Sequence, residues 1–266
     1  MRETLIRSAS GAVYIVVLAA AIFFSGFTLY LLFGVFLAIA VREYCQLTRL
    51  SIKPSLLLAL GFYIWLAISP GTRQSDAIIL AIALLGSALA LYYLFQSRYF
   101  LSKSAAIALL IGYVLMPFVL LVKIPFQNST YLPENLFSIF ILIWVNDTFA
   151  YITGKSLGRR KLFEKISPKK TIEGFIGGLT FCVLAGYFLA SKYLHQSTAL
   201  WMSTALVVSV CGTLGDLVES KLKRSAGVKD SGNLMPGHGG ILDRLDSVIF
   251  ATPFVFLLFQ IFSYVS

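Results

Sequence analysis

The chain has 266 residues, of which 58% are hydrophobic and only 13% are charged, and its formal net charge is +10. Several apolar runs reach the roughly 18 residues that a helix needs to cross a bilayer, which argues against a soluble globular domain. The sequence also lacks the recurring alternation of polar and apolar residues that is typical of an outer-membrane barrel. Because lipid offers no hydrogen-bond partner to an open backbone, transmembrane helices are the predicted structure.

The predicted fold is all-α, a polytopic transmembrane helical bundle of about nine spans. Gly, Pro and charged residues separate apolar segments near 5–24, 27–41, 54–70, 75–95, 105–122, 133–152, 172–191, 197–215 and 246–264. The first segment has the charged start and apolar centre of a secretory signal, but further apolar segments follow at once, so we expect an uncleaved span. We divide the chain into N-terminal helices, 1–126, and a C-terminal region with the long polar loops, 127–266.

The Lys and Arg residues are distributed very unequally over the predicted loops. If the N-terminus is cytoplasmic, nine spans place all 22 of them inside except Arg73, Lys123 and Lys192. Positive residues in short loops favour the cytoplasmic face, so we predict an N-in, C-out orientation. Eight or ten spans would put one of the two basic segments, 153–171 or 216–245, on the wrong side. Because the excess charge lies beside membrane helices, anionic lipid head groups and nucleotide phosphates are better partners than nucleic acid.

Acidic residues are rare in this chain, and five of them fall near one membrane level. These are Asp147 in the sixth span, Asp216 and Glu219 after the eighth, and Asp243 and Asp246 at the start of the ninth. A charge at the centre of a transmembrane helix costs about 2.5–3.5 kcal/mol, so Asp147 needs a compensating partner. A Mg²⁺ ion shared by several carboxylates is one such partner, because it takes hard oxygen ligands. Ordinary ion pairs with Lys223, Arg244 and their neighbours are the alternative for each acid taken alone.

The segment 153–178 is strongly basic, with seven positive charges and one negative between residues 153 and 171. Its SPKKTIEG run predicts a helix start with Ser167 as N-cap and Pro168 in the first turn, and free N–H groups at a helix start favour an anion. Lys169, Lys170 and Thr171 add donors of the kind that bind phosphate. A Walker A loop is absent from the sequence. A juxtamembrane loop that holds only lipid head groups explains the same charges equally well.

The polar segment 216–246 has five acids and five bases, so it is not a simple basic patch. Its PGHGG run places three glycines beside His238, which lets the backbone approach a ligand closely. His238 itself is a candidate general base, ligand or hydrogen-bond donor, and its neighbours do not decide among these roles. An irregular loop at the membrane surface is the alternative for this segment.

This polar segment resembles the signature of the phosphatidate cytidylyltransferase, or CDP-diacylglycerol synthase, family. The matching residues are Ser220, Lys223, Arg224, Lys229, Asp230, Gly232, Pro236, His238, Gly239, Gly240, Asp243, Arg244 and Asp246. Met235 stands where the family has Leu, Ile or Phe. The runs NDTFAYITGKSLGRRKL, SPKKTIEGFIGG and GDLVESKLKR also resemble family segments. The resemblance therefore covers about 145–253, whereas the first 130 residues match only in hydrophobic character.

The resemblance implies that CTP and phosphatidate react to give CDP-diacylglycerol and pyrophosphate, and that the reaction requires Mg²⁺. The participation of a second cation is left open. On this basis we assign metal binding to Asp147, Asp216, Glu219, Asp243 and Asp246. We assign substrate binding to Ser167, Lys169, Lys170, Thr171, Lys223, Arg224, Lys229, His238, Gly239 and Gly240. The expected catalytic residues are Asp243, Asp246, Lys223, Arg244 and His238. A phosphate monoester is largely a dianion at neutral pH, so we expect catalysis from positioning and charge neutralisation.

The resemblance further implies an integral protein of a bacterial-type inner membrane, with the site on the cytoplasmic side, and it suggests a homodimer. Two other functions stay open. A CTP-dependent lipid kinase of the polyprenol or dolichol type resembles this family in its nucleotide region but transfers the terminal phosphate to an alcohol. An ion-coupled transporter requires acids near the midplane and on both faces, whereas the acids here fall on one side.

Overall fold

The structure is a computed structural model that describes residues 2–68, 72–97, 101–127, 130–234 and 239–265. The helices within these ranges are α1 (Arg2–Phe24), α2 (Gly26–Thr48), α3 (Ile52–Ile68), α4 (Arg73–Phe95), α5 (Lys103–Leu109), α6 (Met116–Lys123), α7 (Pro133–Leu157), α8 (Ile172–Phe188), α9 (Thr198–Ser225) and α10 (Leu242–Val265). A π-helical segment, Leu110–Leu115, joins α5 to α6, and a second one, Leu189–Leu194, continues α8. The described chain thus forms nine helical rods, as predicted.

Two short antiparallel hairpins interrupt the helices in the described ranges. Strand β1 (Phe126–Gln127) pairs with β2 (Thr130–Tyr131) between α6 and α7. Strand β3 (Lys161–Phe163) pairs with β4 (Ser167–Thr171) between α7 and α8, inside the basic segment. The hairpins are short, so the fold class is still all-α. The β3–β4 hairpin, however, occupies the part of the basic segment in which a helix start was predicted.

Seven helices of the described chain are long and apolar enough to cross a membrane, and they begin at Gly26, Arg73, Lys103, Pro133, Ile172, Thr198 and Leu242. Two shorter apolar helices, Ala9–Phe24 and Ile52–Ala67, complete the set. A polytopic helical membrane bundle is therefore confirmed. Helices α2, α7 and α9 continue about one to three turns beyond the predicted apolar segments, since their charged ends remain helical inside the protein.

Successive helices run in opposite directions, so the bundle has two ends. At one of them the carboxyl ends of α2, α4 and α9 meet the amino ends of α5 and α10. There Tyr44 Oη donates to the Ala106 carbonyl (3.0 Å), Lys221 Nζ donates to the Gln96 carbonyl (2.6 Å), and the Leu242 N–H donates to Glu43 (2.8 Å). We call this the polar end of the bundle.

The opposite end, which we call the far end, has polar contacts of its own. Tyr131 Oη donates to the Ile22 carbonyl at the close of α1 (2.5 Å), and Lys123 Nζ pairs with Asp76 at the start of α4 (2.8 Å). One apolar core extends between the two ends of the bundle and includes residues from α1 to α10. The Tyr113 and Phe250 rings, for example, lie with centroids 6.1 Å apart. The predicted division of the chain at residue 126 stays a prediction about sequence organisation.

Candidate active site

A cavity of about 540 Å³ lies at the polar end, among α7, α8, α9, α10 and the β3–β4 hairpin. Its volume is in the range of small-molecule sites. Its wall includes acids and bases from every one of these elements except α8. The charged lining residues are Asp147, Lys155, Lys169, Lys170, Asp216, Lys223, Asp230, Asp243, Arg244 and Asp246.

Close helix crossings bring the acids of separate helices to this cavity. A Cβ atom on Gly215 of α9 would lie 2.5 Å from the Asp246 carbonyl oxygen of α10. Likewise, a Cβ atom on Gly178 of α8 would lie 2.7 Å from the Asn146 carbonyl oxygen of α7. Small residues permit such close backbone approach between membrane helices. The neighbours of these contact points, including Asp216 and Asp147, are thereby held at one level.

Three of the predicted metal ligands form what we call the acid cluster: Asp216, Glu219 and Asp246. One carboxylate oxygen of each lies within 4.8 Å of the others. Glu219 is fully buried at 0% exposure, and neither of its oxygens has a hydrogen-bond partner among the described residues, although Oε2 forms an ion pair with Lys223. Carboxylate oxygens that are gathered from two helices, with the buried Glu219 Oε1 unpartnered among them, match the ligands that Mg²⁺ takes. The acid cluster therefore fits a divalent cation.

Asp147, a fourth predicted metal ligand, lies on the cavity wall beside the acid cluster but is not one of its three members. Its Oδ1 accepts a hydrogen bond of 3.3 Å from Asn146 Nδ2. Asn146 is held in turn by Ser209, whose hydroxyl donates to Asn146 Oδ1 at 2.6 Å. The structure thus places Asp147 on the wall of a cavity, and among the described residues it forms no ion pair.

Asp243, the fifth predicted ligand, has a different environment from the acid cluster. Its Oδ2 accepts from the Ser231 N–H, the Ser231 hydroxyl and the Gly240 N–H, each at 2.8 Å. Its Oδ1 accepts from Lys223 Nζ at 2.5 Å. Since each carboxylate oxygen has about two lone-pair positions, these donors occupy Oδ2 fully, whereas Oδ1 keeps one position beside Lys223. Asp243 therefore orients Lys223 and anchors a loop, and its assignment as a metal ligand stays a prediction.

The SPKKT run is a strand, so the predicted helix start at Ser167 is wrong. Ser167 pairs with Phe163 in the β3–β4 hairpin, and Thr171 is the N-cap of α8, accepting from the Gly174 N–H at 3.1 Å. Glu173 in the first turn of α8 accepts from the Arg159 N–H at 3.0 Å and fixes the start of the loop. Thr and Ser are both good N-caps, and the strand pairing decides between them.

The hairpin still brings its lysines to the cavity. Lys169, Lys170 and Thr171 line it, and Lys170 Nζ pairs with Asp216 Oδ2 at 2.5 Å. Ser167 lies outside the cavity lining. Lys155 of α7 lines the cavity as well. Lys155 was not among the predicted site residues, although it belongs to the same basic segment as Lys169 and Lys170 and could have been predicted on that ground.

The signature segment divides into residues inside and outside the cavity. Lys223 and Arg244 line it, and Lys223 lies between two acids, Glu219 and Asp243. Arg224 and Lys229 lie on the exposed surface, where Arg224 Nη1 donates to the Val228 carbonyl at 3.1 Å.

Gly239 and Gly240, two of the three glycines of the signature, lie outside the lining of the cavity. Gly239 and Gly240 pack against Asp243, and the φ of +81° at Gly239 is one that L side chains rarely adopt. His238 lies outside the described residues.

A smaller cavity of about 220 Å³ adjoins the first one. The two cavities share Asp147, Asp243, Arg244, Asp246 and Ser247, which we call the shared polar wall. The other walls of the smaller cavity are mostly apolar or aromatic and come from α1, α7 and α10: Gly11, Tyr14, Ile15, Phe140, Ile143, Trp144 and Val248. One polar wall thus faces a basic compartment on one side and an apolar compartment on the other.

The fold and the site define a helical membrane protein that has a charged cavity, lined by both acids and bases, and a carboxylate cluster at one end of its bundle. The chain belongs to the Cytidylyltransferase family, whose sequence pattern it matches over residues 5–262. This match includes the N-terminal helices, so the expectation that family similarity is confined to about 145–253 was too narrow. The membrane fold and the family membership that the signature segment predicted are both confirmed.

Curated relatives of the chain are named phosphatidate cytidylyltransferase. The one from Staphylococcus saprophyticus is 36% identical over 264 residues, which is 96% of this chain and 99% of the relative. The one from Staphylococcus aureus strain COL is 33% identical over 259 residues, or 95% and 98% of the two chains. The Bacillus subtilis protein is 52% identical over 124 residues, and that match spans 46% of each chain.

Proposed function

We propose that this protein is a phosphatidate cytidylyltransferase. In the reaction, a phosphate oxygen of phosphatidate forms a bond to the α-phosphorus of CTP. The bond between that phosphorus and the bridging oxygen to the β-phosphate breaks, so the products are CDP-diacylglycerol and pyrophosphate. The observation that carries the proposal is the shared polar wall, because a charged nucleotide and an apolar lipid need two unlike compartments that meet at one reacting centre.

The larger cavity is the proposed site of CTP. Lys155, Lys169 and Lys170 present ammonium groups to it from α7 and β4, and such groups bind phosphate oxygens. On the opposite wall, Lys223 is held between Glu219 and Asp243 and adds a positive charge close to the acid cluster. These groups position the triphosphate, which is the main contribution that a protein makes to phosphoryl-type transfer.

The smaller cavity is the proposed site of the phosphatidate head group. Arg244 lines both cavities, so its guanidinium is placed to bind the attacking phosphate beside the nucleotide. The apolar residues of α1 and α7 suit the glycerol and acyl part of the lipid. Since the attacking phosphate is largely a dianion at neutral pH, the reaction needs no side chain as a base.

The acid cluster is the proposed Mg²⁺ site. Asp216, Glu219 and Asp246 would hold the ion, and Asp147 on the shared polar wall is a further ligand for it or for a second cation. When bound, the ion neutralises charge on the triphosphate and on the departing pyrophosphate. The buried Glu219 Oε1, which has no partner among the described residues, supports this assignment.

The polar end is proposed to face the cytoplasm of a bacterial cell, with the N-terminus inside and the C-terminus outside. Arg42, Arg49, Lys53 and the basic segment 153–171 belong to this end, whereas the far end has Arg73, Lys123 and Lys192. This distribution supports the orientation through the positive-inside rule. A homodimer stays a prediction, and light scattering of the purified protein in detergent tests it.

Labelled CTP tests the proposed reaction directly. Purified protein is given phosphatidate, Mg²⁺ and CTP labelled at either the α- or the γ-phosphorus, and lipid is extracted. Label in the lipid from the α position alone is the expected result. Label from the γ position alone would make the protein a lipid kinase, and no Mg²⁺-dependent label from either position would refute nucleotide transfer altogether.

A further inference from the structure

Glu43, near the carboxyl end of α2, is a buried acid that the sequence analysis did not single out. It is only 4% exposed. Its Oε2 accepts from the Leu242 N–H at 2.8 Å and from the Ser231 hydroxyl at 3.1 Å, and its Oε1 accepts from the Ile241 N–H at 3.1 Å. Ser231 and Ile241 belong to the segment between α9 and α10 and Leu242 is the first residue of α10, almost two hundred residues further along the chain. We call this set of contacts the Glu43 brace.

The backbone of that segment is fitted closely to the Glu43 carboxylate. A Cβ atom on Gly232 would lie 2.5 Å from Glu43 Oε1, and a Cβ atom on Gly240 would lie 2.4 Å from the same oxygen. Real side chains do not tolerate such distances, so glycine is required at both positions for the carboxylate to reach the Ile241 and Leu242 N–H groups. These two groups lie at the start of α10, where backbone donors have no partner within the helix.

The Glu43 brace is connected to the cavity through Asp243. The Ser231 hydroxyl lies between Glu43 Oε2 (3.1 Å) and Asp243 Oδ2 (2.8 Å), and its one proton can be donated to only one of them at a time. The Gly240 N–H donates to the same Asp243 oxygen. Asp243 in turn holds Lys223, which pairs with Glu219 of the acid cluster. A continuous set of polar contacts thus runs from α2 to the proposed metal site.

We propose that Glu43 is a positioning residue of the transfer reaction, which acts through the loop and Asp243 to hold Lys223 against the acid cluster. The inference rests on the proposed function and assigns a specific role to an N-terminal helix. Glu43 lines neither cavity, so it acts without touching the substrates. Its removal should therefore slow the reaction more than it weakens nucleotide binding.

The first test is Glu43→Gln, which preserves shape but replaces an acceptor oxygen by a donor N–H₂ group opposite backbone donors. We expect kcat to fall about 10- to 100-fold, as for other residues that orient a metal site from behind. The KM for CTP should stay within about 3-fold, because Lys169 and Lys170 approach the cavity from the other side. Unchanged kcat in a folded variant would overturn the proposal, as would a raised KM with normal kcat.

Asp76→Asn is the matched control. It makes the same carboxylate-to-amide change and breaks an ion pair of 2.8 Å with Lys123, but at the far end. Its kcat should stay within about 2-fold of wild type, since it leaves the Glu43 brace and the cavity intact. Melting temperatures of both variants in detergent separate a loss of folding from a loss of positioning. Equal losses of kcat in both variants would show that Glu43 has only a structural role.

Gly240→Ala alters the Glu43 brace from the loop instead of from α2. It therefore tests the proposal even if Glu43→Gln does not fold. It should lower kcat in the same way, because its Cβ displaces the Glu43 carboxylate.

A coupling experiment then asks whether Glu43 acts through Lys223. In a Lys223→Gln background, Glu43→Gln should cause little further loss, whereas a second full loss would contradict the proposed connection. The labelled-CTP experiment on wild-type protein tests the proposed function separately, because γ-label in the lipid would refute that function. The variants test only the role of Glu43.

Discussion

Two groups of carboxylates lie side by side at the polar end, and their surroundings differ. In the acid cluster, donors reach Asp216 from Ser220 and Lys170, Asp246 from the Ser247 N–H and Glu219 Oε2 from Lys223, but the buried Glu219 Oε1 has no partner among the described residues. The second group is Glu43 and Asp243, and every oxygen of these two carboxylates accepts from the loop, from the start of α10 or from Lys223. An unpartnered buried oxygen, rather than the number of acids, therefore separates the proposed cation site from a scaffold.

Asp246→Asn should have the largest effect, since it removes one of the three charges of the acid cluster. We expect turnover to fall by at least about 100-fold while the protein still inserts and folds, because the removed group is a proposed ligand of the cation. Activity across a Mg²⁺ titration, together with a melting curve in detergent, checks this. Near-normal activity at low Mg²⁺ would show that Asp246 is not a ligand of the proposed cation. The proposed difference between the two groups of carboxylates would then be wrong.

Lys223→Gln tests the connection between the two groups, because Lys223 pairs with both Glu219 and Asp243. Its removal leaves the buried Glu219 and Asp243 without their shared cation, and breaking a buried pair in this way costs about 3–5 kcal/mol. We expect a lowered melting temperature that Mg²⁺ partly restores, because a bound cation replaces the missing charge at the acid cluster. A melting temperature that equals that of wild type in chelator would contradict this.

Lys221→Met tests a neighbouring lysine that has no part in either group. Lys221 is only 1% exposed, and its Nζ donates to the Tyr93 and Gln96 carbonyls at 2.5 and 2.6 Å. Leaving these acceptors without a donor should cost about 1–3 kcal/mol of stability. Because no substrate contact is lost, the KM for CTP should not change. A large rise in KM in a stable variant would mean that Lys221 belongs to the site.

Ser231→Ala should have the smallest effect. The substitution removes the hydroxyl between Glu43 and Asp243, but the Ser231 N–H still donates to Asp243 at 2.8 Å. We expect kcat to fall only about 2- to 5-fold, which corresponds to the loss of one hydrogen bond of about 0.5–1 kcal/mol. Steady-state kinetics checks it, and a loss as large as that of Glu43→Gln would make the hydroxyl the main connection between the two carboxylates.

The sequence was sufficient for the helices and for much of the cavity. Apolar length predicted the nine rods, and the positions of Asp216, Glu219 and Asp246 relative to the predicted spans placed these acids near one membrane level. Lys169 and Lys170 were expected at a phosphate site, and the structure brings both to the cavity wall. The helices follow from composition, and the positions of these residues follow from which helix ends meet; the role of Lys169 and Lys170 in binding phosphate stays a prediction.

Other features depend on contacts that no local pattern encodes. Glu43 follows an apolar span like any interfacial charge, and its donors lie far along the chain. Ser167 and Thr171 are equally suitable N-caps by residue type, and only the pairing of β3 with β4 selects Thr171. Asp243 has the same spacing to Asp246 as Asp216 has to Glu219, yet loop donors take its oxygens. The donor environment of a carboxylate is a tertiary property.

Lys221 and Glu43 also have a consequence for how the bundle assembles. The aligned peptide groups give each helix a partial positive charge at its amino end and a partial negative charge at its carboxyl end. An ammonium group from α9 lies at the negative end of α4, and a carboxylate from α2 lies at the positive end of α10. Each side chain would be repelled by the other's partner, so the signs of these two charges select which helix termini become neighbours during folding.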